Sequence, residues 1–588
     1  MGNCLDICFG DNKDQDQVQD KKPHGRKKDT PGQGGSISAT GGKTSIHSLH
    51  EGLLNERTTS VYSKYEEAEV LGTGSMGHVA KVRIKDGEDS VSVYRTSSSK
   101  SPANSNHGRI EKGTSSISSD RKKTEYALKS IQLDRVSPSF VDELKNEIDI
   151  LKAMDHPNIV KLHEVYYNKK QIYLILELCD GGDLYTRLPY SEKDGAYITG
   201  KLLSAIKYMH DHGIVHRDIK FENIMFENKS PTAEIKVIDF GLSKKFANNK
   251  IGIMHEGVGT LYSMAPQVLQ GVYTSQADMW SCGVITYMLL SSHRPFYNKK
   301  RKFMIDRIMR CDYTFEKDYW KPISDEAKDF ISKLLVLDPS VRFNAAQAQQ
   351  HKWLSKEFKQ CDRVPTESFQ NAVADNLLVY RETASLKKIA LNVIAHRSST
   401  EEILQLRKAF DQFDTANNGI ISYDEFKEAL KDKCNYTDKD IKEMFDSIDV
   451  NQNGHIMYTE FIAATLEAHG YVEEERIAEA FDRLDIDSSG FISKENLRQF
   501  LGDGATMEDV ERMMKDADVN NDGQISFDEF LAMFQTSQDK MPLKDMQSFE
   551  SGISDEADLV GLDAKIPGGK FDSKVGVGLE QGQVMNPL

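Results

Sequence analysis

Apolar residues are sparse before position 60, where Gly, Ser, Lys, Asp and Gln dominate, so residues 1–60 are expected to be largely disordered. From Tyr65 onward apolar and polar positions alternate, the period of a half-buried strand. The alternation stops at 86–123, a stretch of 38 residues with 11 serines that reads as a flexible insertion between two strands. From 124 to 354, short β runs such as QIYLILEL (171–178) and EIKVIDF (234–240) mix with amphipathic helical patterns, as in a two-layered α/β enzyme. Residues 355–400 form a connector, 401–535 read as helices punctuated by acidic loops, and 536–588, rich in Gly, Asp and Lys, as a disordered tail. Within the connector, SLKKIALNVIAHR (385–397) is apolar at Leu386, Ile389, Ala390, Val393 and Ile394, the stripe of a helix, with Lys387, Lys388 and Arg397 on its polar face.

At 588 residues the chain is too long for one core, and the length fits roughly three to five domains. No run approaches the ~20 apolar residues of a membrane span, and the start is too polar for a secretory signal. The seven cysteines, Cys4, Cys8, Cys179, Cys282, Cys311, Cys361 and Cys434, lack zinc-like spacing and read as reduced thiols of a cytoplasmic protein. The formal net charge of −16 is concentrated in residues 401–540, which hold 33 Asp and Glu against 14 Lys and Arg. The rest carries 58 acids and 61 bases. A nucleic-acid partner is not expected for so acidic a block; dense carboxylate with regular Gly points to cation binding.

The chemistry starts at LGTGSMGHV (71–79), which sets Gly72, Gly74 and Gly77 in a G-x-G-x-x-G pattern. Glycines let backbone amides approach phosphate oxygens. A dinucleotide fold would need a helix next, yet HVAKVRI alternates like a strand, which points to a hairpin covering phosphates. YALK (126–129) then ends a strand in Lys129, a cation for α- and β-phosphates, and NEIDILKAM (146–154) is an amphipathic helix presenting Glu147 as its partner. HRDIKFEN (216–223) supplies Asp218 to accept a substrate hydroxyl proton, Lys220 to balance transferring charge and Asn223 as an oxygen for Mg²⁺. DFG (239–241) follows a buried strand and offers Asp239 to the bridging metal. A helix-surface Glu, a turn Asp or a loop Asn explains any one of these; nothing so plain explains all of them in this order.

Residues 65–354 resemble a protein kinase catalytic domain over their whole length. The resemblance implies a bilobal fold with MgATP between the lobes, and a nucleotide site formed by Leu71, Gly72, Gly74, Gly77, Val79, Lys129, Glu147, Glu177, Cys179, Asp183 and Asp239. ELC (177–179) matches the adenine hinge behind Leu176, and Asp278 of DMWSCG would tie down the catalytic loop. Lys220 marks a Ser/Thr kinase. Asp183 and Glu222 match acidic positions that in basophilic kinases receive arginines N-terminal to the phosphoacceptor, through charge-assisted hydrogen bonds. In the activation segment (242–267), Glu256 stands where many kinases carry a phosphorylated Thr clasped by the Arg of HRD, here Arg217. Gln267 replaces the Glu of APE and keeps a hydrogen bond, not an ion pair, for Arg342.

The acidic block contains four loops that start at Asp414, Asp449, Asp485 and Asp518, spaced 35, 36 and 33 residues apart, each after an amphipathic helix and each with Gly at its sixth position. This is helix–loop–helix calcium architecture. The second loop (449–460) offers Asp449, Asn451, Asn453, the His455 backbone oxygen and Glu460; the fourth (518–529) offers Asp518, Asn520, Asp522, the Gln524 backbone oxygen, Ser526 and Glu529. The first (414–425) has Ala416 in place of a ligand. The third (485–496) has Asp485, Asp487 and Ser489 but ends in Asn496, so it lacks the bidentate Glu. Each lobe thus pairs a strong loop with a weakened one, in an arrangement that resembles calmodulin.

Kinase, junction and four hands in this order resemble the calcium-dependent protein kinases of plants and apicomplexan parasites, over residues 65–535. The expected fold class is multidomain α+β, a bilobal kinase followed by an all-α domain of four EF-hands. The resemblance implies ATP, Mg²⁺ and Ca²⁺ as cofactors and a Ser/Thr kinase autoinhibited without calcium by its own junction helix (355–400) and hands. A calcium-responsive scaffold with an inactive kinase domain is the competing class, and the intact Lys129, Glu147, Asp218, Asn223 and Asp239 argue against it. A kinase awaiting free calmodulin is disfavoured because a sensor is built in. MGNCLDICFG offers Gly2 for myristoylation and Cys4, with Cys8, for palmitoylation, so a cytoplasmic protein held at a membrane surface is expected.

Overall fold

The computed structural model describes residues 53–74, 77–85, 124–246, 250–358, 367–431, 436–469, 472–502 and 505–535. Gly2, Cys4 and Cys8, the whole 86–123 insertion and the tail after 535 lie outside the described residues.

A six-stranded sheet forms the small lobe, in the order β1 (Asn55–Arg57), β5 (Leu162–Tyr167), β6 (Gln171–Glu177), β4 (Glu125–Gln132), β3 (Gly77–Ile84), β2 (Tyr65–Gly74). The strand pairs are antiparallel except β1 with β5, which is parallel and sets Asn55 opposite Glu164. β1 corrects the expectation of disorder through residue 60. The segment is too polar to read as a strand, but its backbone pairs an edge of β5 that would otherwise be open. Leu53 and Leu54 are buried beside it, and Arg483, far along the chain, donates to both of their carbonyls.

Helix α1 (Pro138–Ala153) starts at Ser137, whose hydroxyl accepts the Phe140 N–H, with Pro138 in its first turn. Its apolar face, Leu144, Ile148 and Leu151, packs on the sheet and turns Glu147 inward. The large lobe is built on α2 (Glu192–Asp211) and α3 (Gln276–Ser291). α3 is buried on every side, so its apolar pattern has no stripe. The short pairs β7 (Ile214–Val215) with β10 (Lys244–Lys245) and β8 (Ile224–Phe226) with β9 (Ile235–Val237) hold the loops that carry the HRD and DFG motifs.

The connector holds two helices where one was expected: α4 (Glu367–Arg381) and α5 (Ser385–Arg397). The predicted span of α5 agrees, but its basic face is not solvated. Lys387 and Arg397 are buried; Lys387 pairs with Glu467 at 2.8 Å and Arg397 with Glu164 at 2.9 Å. Four helix pairs follow: α6 (Leu404–Phe413) with α7 (Tyr423–Leu430), α8 (Asp438–Ile448) with α9 (Tyr458–Thr465), α10 (Glu474–Leu484) with α11 (Lys494–Leu501), and α12 (Met507–Ala517) with α13 (Phe527–Gln535). Their loops join two by two through β11 (Ile420–Ser422) with β12 (His455–Met457) and β13 (Phe491–Ser493) with β14 (Gln524–Ser526). One hydrophobic core runs through α4, α5 and all eight of these helices, with α5 between the two lobes against α9, α10 and α12. No helix among the described residues is long and apolar enough to cross a membrane.

This helical unit is docked on the kinase domain. Arg407 donates to Glu227 at 2.8 Å and to the Pro157 carbonyl at 2.6 Å, with both side chains of the ion pair buried. Thr459 donates through its N–H and its hydroxyl to Asp155, at 2.8 and 2.6 Å. Lys201 pairs with Asp411 at 2.7 Å, and His396 meets the Leu162 carbonyl. Ile420 and Met457 pack into the kinase core. Gly419 is required here: with φ of +79°, it would also bring a Cβ within 2.0 Å of the His156 ring. Removing one member of a buried pair such as Arg407–Glu227 strands the other, so the interface is selective as well as adhesive.

Candidate functional site

The cleft lies between the sheet and the loops of the large lobe. Lys129 on β4 faces Val79 on β3 across the ladder and reaches Glu147 of α1 at 2.7 Å. Burial alone would lower the Lys129 pKa; Glu147 and Asp239 outweigh it and hold the ammonium charged. Gly77 is held by packing: a Cβ there would lie 1.7 Å from the Ser130 carbonyl oxygen of β4. Gly72 and Gly74 stand on β2, with Gly74 opposite Gly77 where the hairpin closes, and Leu71 beside them is exposed.

The HRD loop is fixed from below. Asp278 accepts the backbone N–H groups of His216 and Arg217, both at 2.9 Å, and His210 Nε2 lies 3.0 Å away. Burial raises the Asp278 pKa, but His210, His216 and these bonds bring it below the ordinary carboxylate range. Arg217 and Asp239 both take positive φ, 70° and 63°, conformations that cost side-chain-bearing residues free energy and are sustained only by their surroundings.

Asp218 sits at the centre. Its Oδ2 accepts Lys220 Nζ at 2.7 Å and Asn223 Nδ2 at 3.2 Å, and its Oδ1 accepts the Thr260 hydroxyl at 2.7 Å. Thr260 escaped the sequence reading, because one Thr in an irregular segment carries no local signal. Lys220, also 3.2 Å from Thr260 Oγ1, thus ties the catalytic loop to the activation segment.

Glu256 behaves as a built-in anion. Arg217 Nη1 lies 3.5 Å from it, but its nearer partner is Lys244 at 2.7 Å, which sequence reading missed. The hydrogen bond from Lys244 and those from backbone amides outweigh burial, which opposes them, and lower its pKa to about 2, so it stays ionised across the working pH range. Gln267 accepts Arg342 Nη2 at 3.0 Å, the expected neutral substitute for an ion pair.

At the hinge, the Glu177 carboxylate pairs with Lys236 at 2.8 Å and takes a long hydrogen bond from Thr400 of the regulatory unit, while its backbone N–H donates to the Lys161 carbonyl. The Cys179 thiol is pushed well up in pKa by burial, then by Glu177. Asp183 accepts the Tyr185 N–H at 3.0 Å, and burial, with nearby Glu222, raises its pKa.

The four calcium loops share one backbone. Position four takes positive φ in each (Asn417, Gln452, Ser488, Asn521), and so does position six (Gly419, Gly454, Gly490, Gly523). In the second loop Asp449 accepts the Asn453 and Gly454 amides, and Glu460 accepts Val450, Asn451 and Met457. Burial raises the Glu460 pKa to about 8, with Asp449 adding to it. Glu529 repeats the pattern with Val519, Asn520 and Ser526. No three His, Cys, Asp or Glu side chains converge among the described residues. The hard oxygens of loops two and four suit Ca²⁺, which would draw inward carboxylates now bonded to the loop's own amides. Asn451, Asn453, His455, Asn520, Asp522 and Gln524 all stand in these two loops.

Asn496 differs. Its oxygen accepts the Ser493 N–H and hydroxyl, at 2.9 and 2.8 Å, and its amide bonds to Asp487 across the loop, so it offers one neutral accepting oxygen where Glu460 and Glu529 each offer two charged ones. The third loop, with Asp485, Asp487 and Ser489, therefore keeps its shape without its bidentate ligand. In the first loop, burial raises Asp414 to a pKa of about 7, and the loop faces His156 of the kinase domain.

The "Protein kinase domain" family matches residues 106–354, and the "EF-hand domain pair" family matches 403–466 and 474–535. "Calcium-dependent protein kinase 5" of Plasmodium falciparum is 31% identical over 501 residues, covering 84% of this chain and 85% of that protein. "Calcium-dependent protein kinase 9" of Arabidopsis thaliana is 36% identical over 423 residues, covering 70% and 76%. "Calcium-dependent protein kinase 29" of the same plant is 37% identical over 423 residues, covering 70% and 77%. With a kinase cleft and four calcium loops joined in one chain, and with relatives of this identity along most of its length, the chain belongs to the calcium-dependent protein kinase family and is a Ca²⁺-regulated Ser/Thr protein kinase.

Proposed function

We propose that the chain transfers the γ-phosphoryl group of MgATP to Ser or Thr in proteins with basic residues N-terminal to the acceptor, and that its junction and hands hold it inactive without Ca²⁺. The Lys129–Glu147 ion pair, formed at 2.7 Å while the regulatory unit rests on β5 and Asp155–Pro157, carries this reading. Lys129 neutralises the α- and β-phosphates. Asp218 accepts the hydroxyl proton as that oxygen attacks the γ-phosphorus, and Lys220 offsets the charge that develops on the transferred group. Asn223 and Asp239 would hold Mg²⁺, which when bound neutralises the phosphate oxygens. Asp183 and Glu222 bind substrate arginine.

The docked arrangement is the released one: calcium-filled lobes enclose α5 and keep it from the cleft, and calcium loss frees it to obstruct substrate. Support comes from α5 itself, buried between the lobes at every residue but Ser385 and Lys388, so that on leaving them it needs another surface, such as the cleft, to cover it. Gly2 and Cys4, with N-terminal residues that suit acylation, would place the cytoplasmic protein at a membrane surface. Kinase activity of the full chain against free calcium tests the reading; a flat response would overturn autoinhibition by the regulatory region.

Glu256 supplies a separate expectation. Glu256→Ala should lower activity about tenfold by freeing Lys244 and Arg217 from their shared anion. Phosphatase treatment of the wild type should do far less. A large phosphatase effect traced to residues 242–267 would show control by phosphorylation instead.

A further inference from the structure

Arg294 lies just after α3 and has no part in the reaction described above. Its guanidinium stacks 4.3 Å from the centre of the Tyr262 ring, and its Nη2–H donates to Tyr185 Oη at 2.9 Å. The same two tyrosines serve the acidic pair of the substrate site. The Tyr262 hydroxyl donates to Glu222 Oε2 at 2.6 Å, and the Tyr185 backbone N–H donates to Asp183 at 3.0 Å. Tyr262 Oη also accepts the Phe221 N–H at 3.0 Å, and Tyr185 rests on the Phe221 ring, so the cluster is anchored to the catalytic loop. Among the described residues Arg294 has no carboxylate within ion-pair distance, yet Glu222 and both phenols act on its charge. It is half-buried, where a unit charge is less screened than on an open surface.

We propose that Arg294 is a specificity-determining residue: an internal guanidinium held by Tyr185 and Tyr262 beside Glu222 competes with substrate arginine for that subsite and leaves Asp183 as the main selector of basic residues. This rests on the basophilic reading given above. A cation beside Glu222 offsets the field that would attract a second cation, and the Tyr262 hydroxyl already occupies one acceptor site of Glu222 Oε2, so a substrate guanidinium must share that carboxylate with a donor already in place. Wild-type enzyme therefore gains much from one well-placed substrate arginine and little from a second.

The test uses the full-length, calcium-saturated chain and synthetic Ser peptides with no arginine, with one, or with two N-terminal to the acceptor. The readout is the ratio of kcat/KM for two arginines over one. In Arg294→Gln, which keeps a donor on a shorter side chain but loses charge, this ratio should rise about two- to fivefold, within the range a partly exposed charge pair gives. Arg294→Lys should hold the ratio near wild type, and KM for ATP should stay constant in both. The gain should vanish when Glu222→Gln is added to Arg294→Gln. If wild type selects arginine but the ratio does not move in Arg294→Gln, the inference fails and the basophilic reading stands. If no peptide series responds to arginine in either enzyme, the basophilic reading itself fails. Should Arg294→Gln not fold, Tyr185→Phe, which releases the guanidinium from one side, must raise the same ratio or the inference is overturned.

Discussion

Phosphotransfer should fall by about a thousandfold or more in Asp218→Asn, with calcium binding by residues 401–540 unchanged. The carboxylate accepts three donors at once: Lys220, Asn223 and the Thr260 hydroxyl. An Asn side chain has the same shape but only one accepting oxygen. If that oxygen faces Thr260, its amide N–H₂ points at Lys220 and Asn223, donor against donor. The variant thus loses its proton acceptor and unsettles the loop on which the transferring charge depends. Lys129→Met should be comparably severe by a different route, since it removes a phosphate cation and leaves Glu147, buried in α1, without its ion-pair partner. Single-turnover phosphotransfer and isothermal calorimetry with Ca²⁺ on the same preparations separate the two functions. Calcium binding lost in step with activity would contradict the separation of catalytic and calcium sites.

The residues that carry chemistry were legible because each belongs to a short motif on an element with its own local signal. Lys129 ends a strand with clear alternation, Glu147 sits on an amphipathic helix, and the calcium ligands follow a fixed spacing around a required Gly. What the chain did not disclose locally was what covers what. The stripe on α5 announced a helix, but periodicity could not say that Lys387 and Arg397 would be buried, because that depends on Glu467 and on Glu164, 233 residues away. Arg407 and Glu227 stand 180 residues apart, and neither looks unusual in its own segment. β1 was missed for a related reason. A strand recruited by backbone pairing at a sheet edge needs no alternating side chains. Thr260 and Lys244 are single residues in irregular segments, where only the folded geometry shows that they touch Asp218 and Glu256.

The same geometry ranks the calcium loops by consequence. Glu460→Gln should raise the calcium needed for half-activation by more than about tenfold, since the bidentate carboxylate at position twelve is the strongest single ligand of the loop. Glu529→Gln should act in the same direction but less on activity. Both loops are complete, and both glutamates make the same bonds to their own amides, so the difference lies in what adjoins them. Glu460 directly follows Thr459, whose N–H and hydroxyl are held by Asp155 of the kinase domain, and Tyr458 before it lies under Lys161, 5.1 Å from ring to ammonium. A calcium ion that draws Glu460 inward therefore pulls on the first turn of α9 where that turn grips the catalytic domain. The fourth loop is exposed, and its strand pairs with the third loop rather than with the kinase. By linkage, whatever calcium contributes to docking through the second loop, docking returns to calcium affinity there. Calcium titrations of activity and of hydrogen exchange across Asp155–Lys161 should then shift together in Glu460→Gln. In Glu529→Gln the exchange pattern at those residues should stay near wild type even as one site is lost. Equal loss of protection in both variants would mean that the two lobes dock as one rigid unit and that the contact at Thr459 has no privileged part in activation.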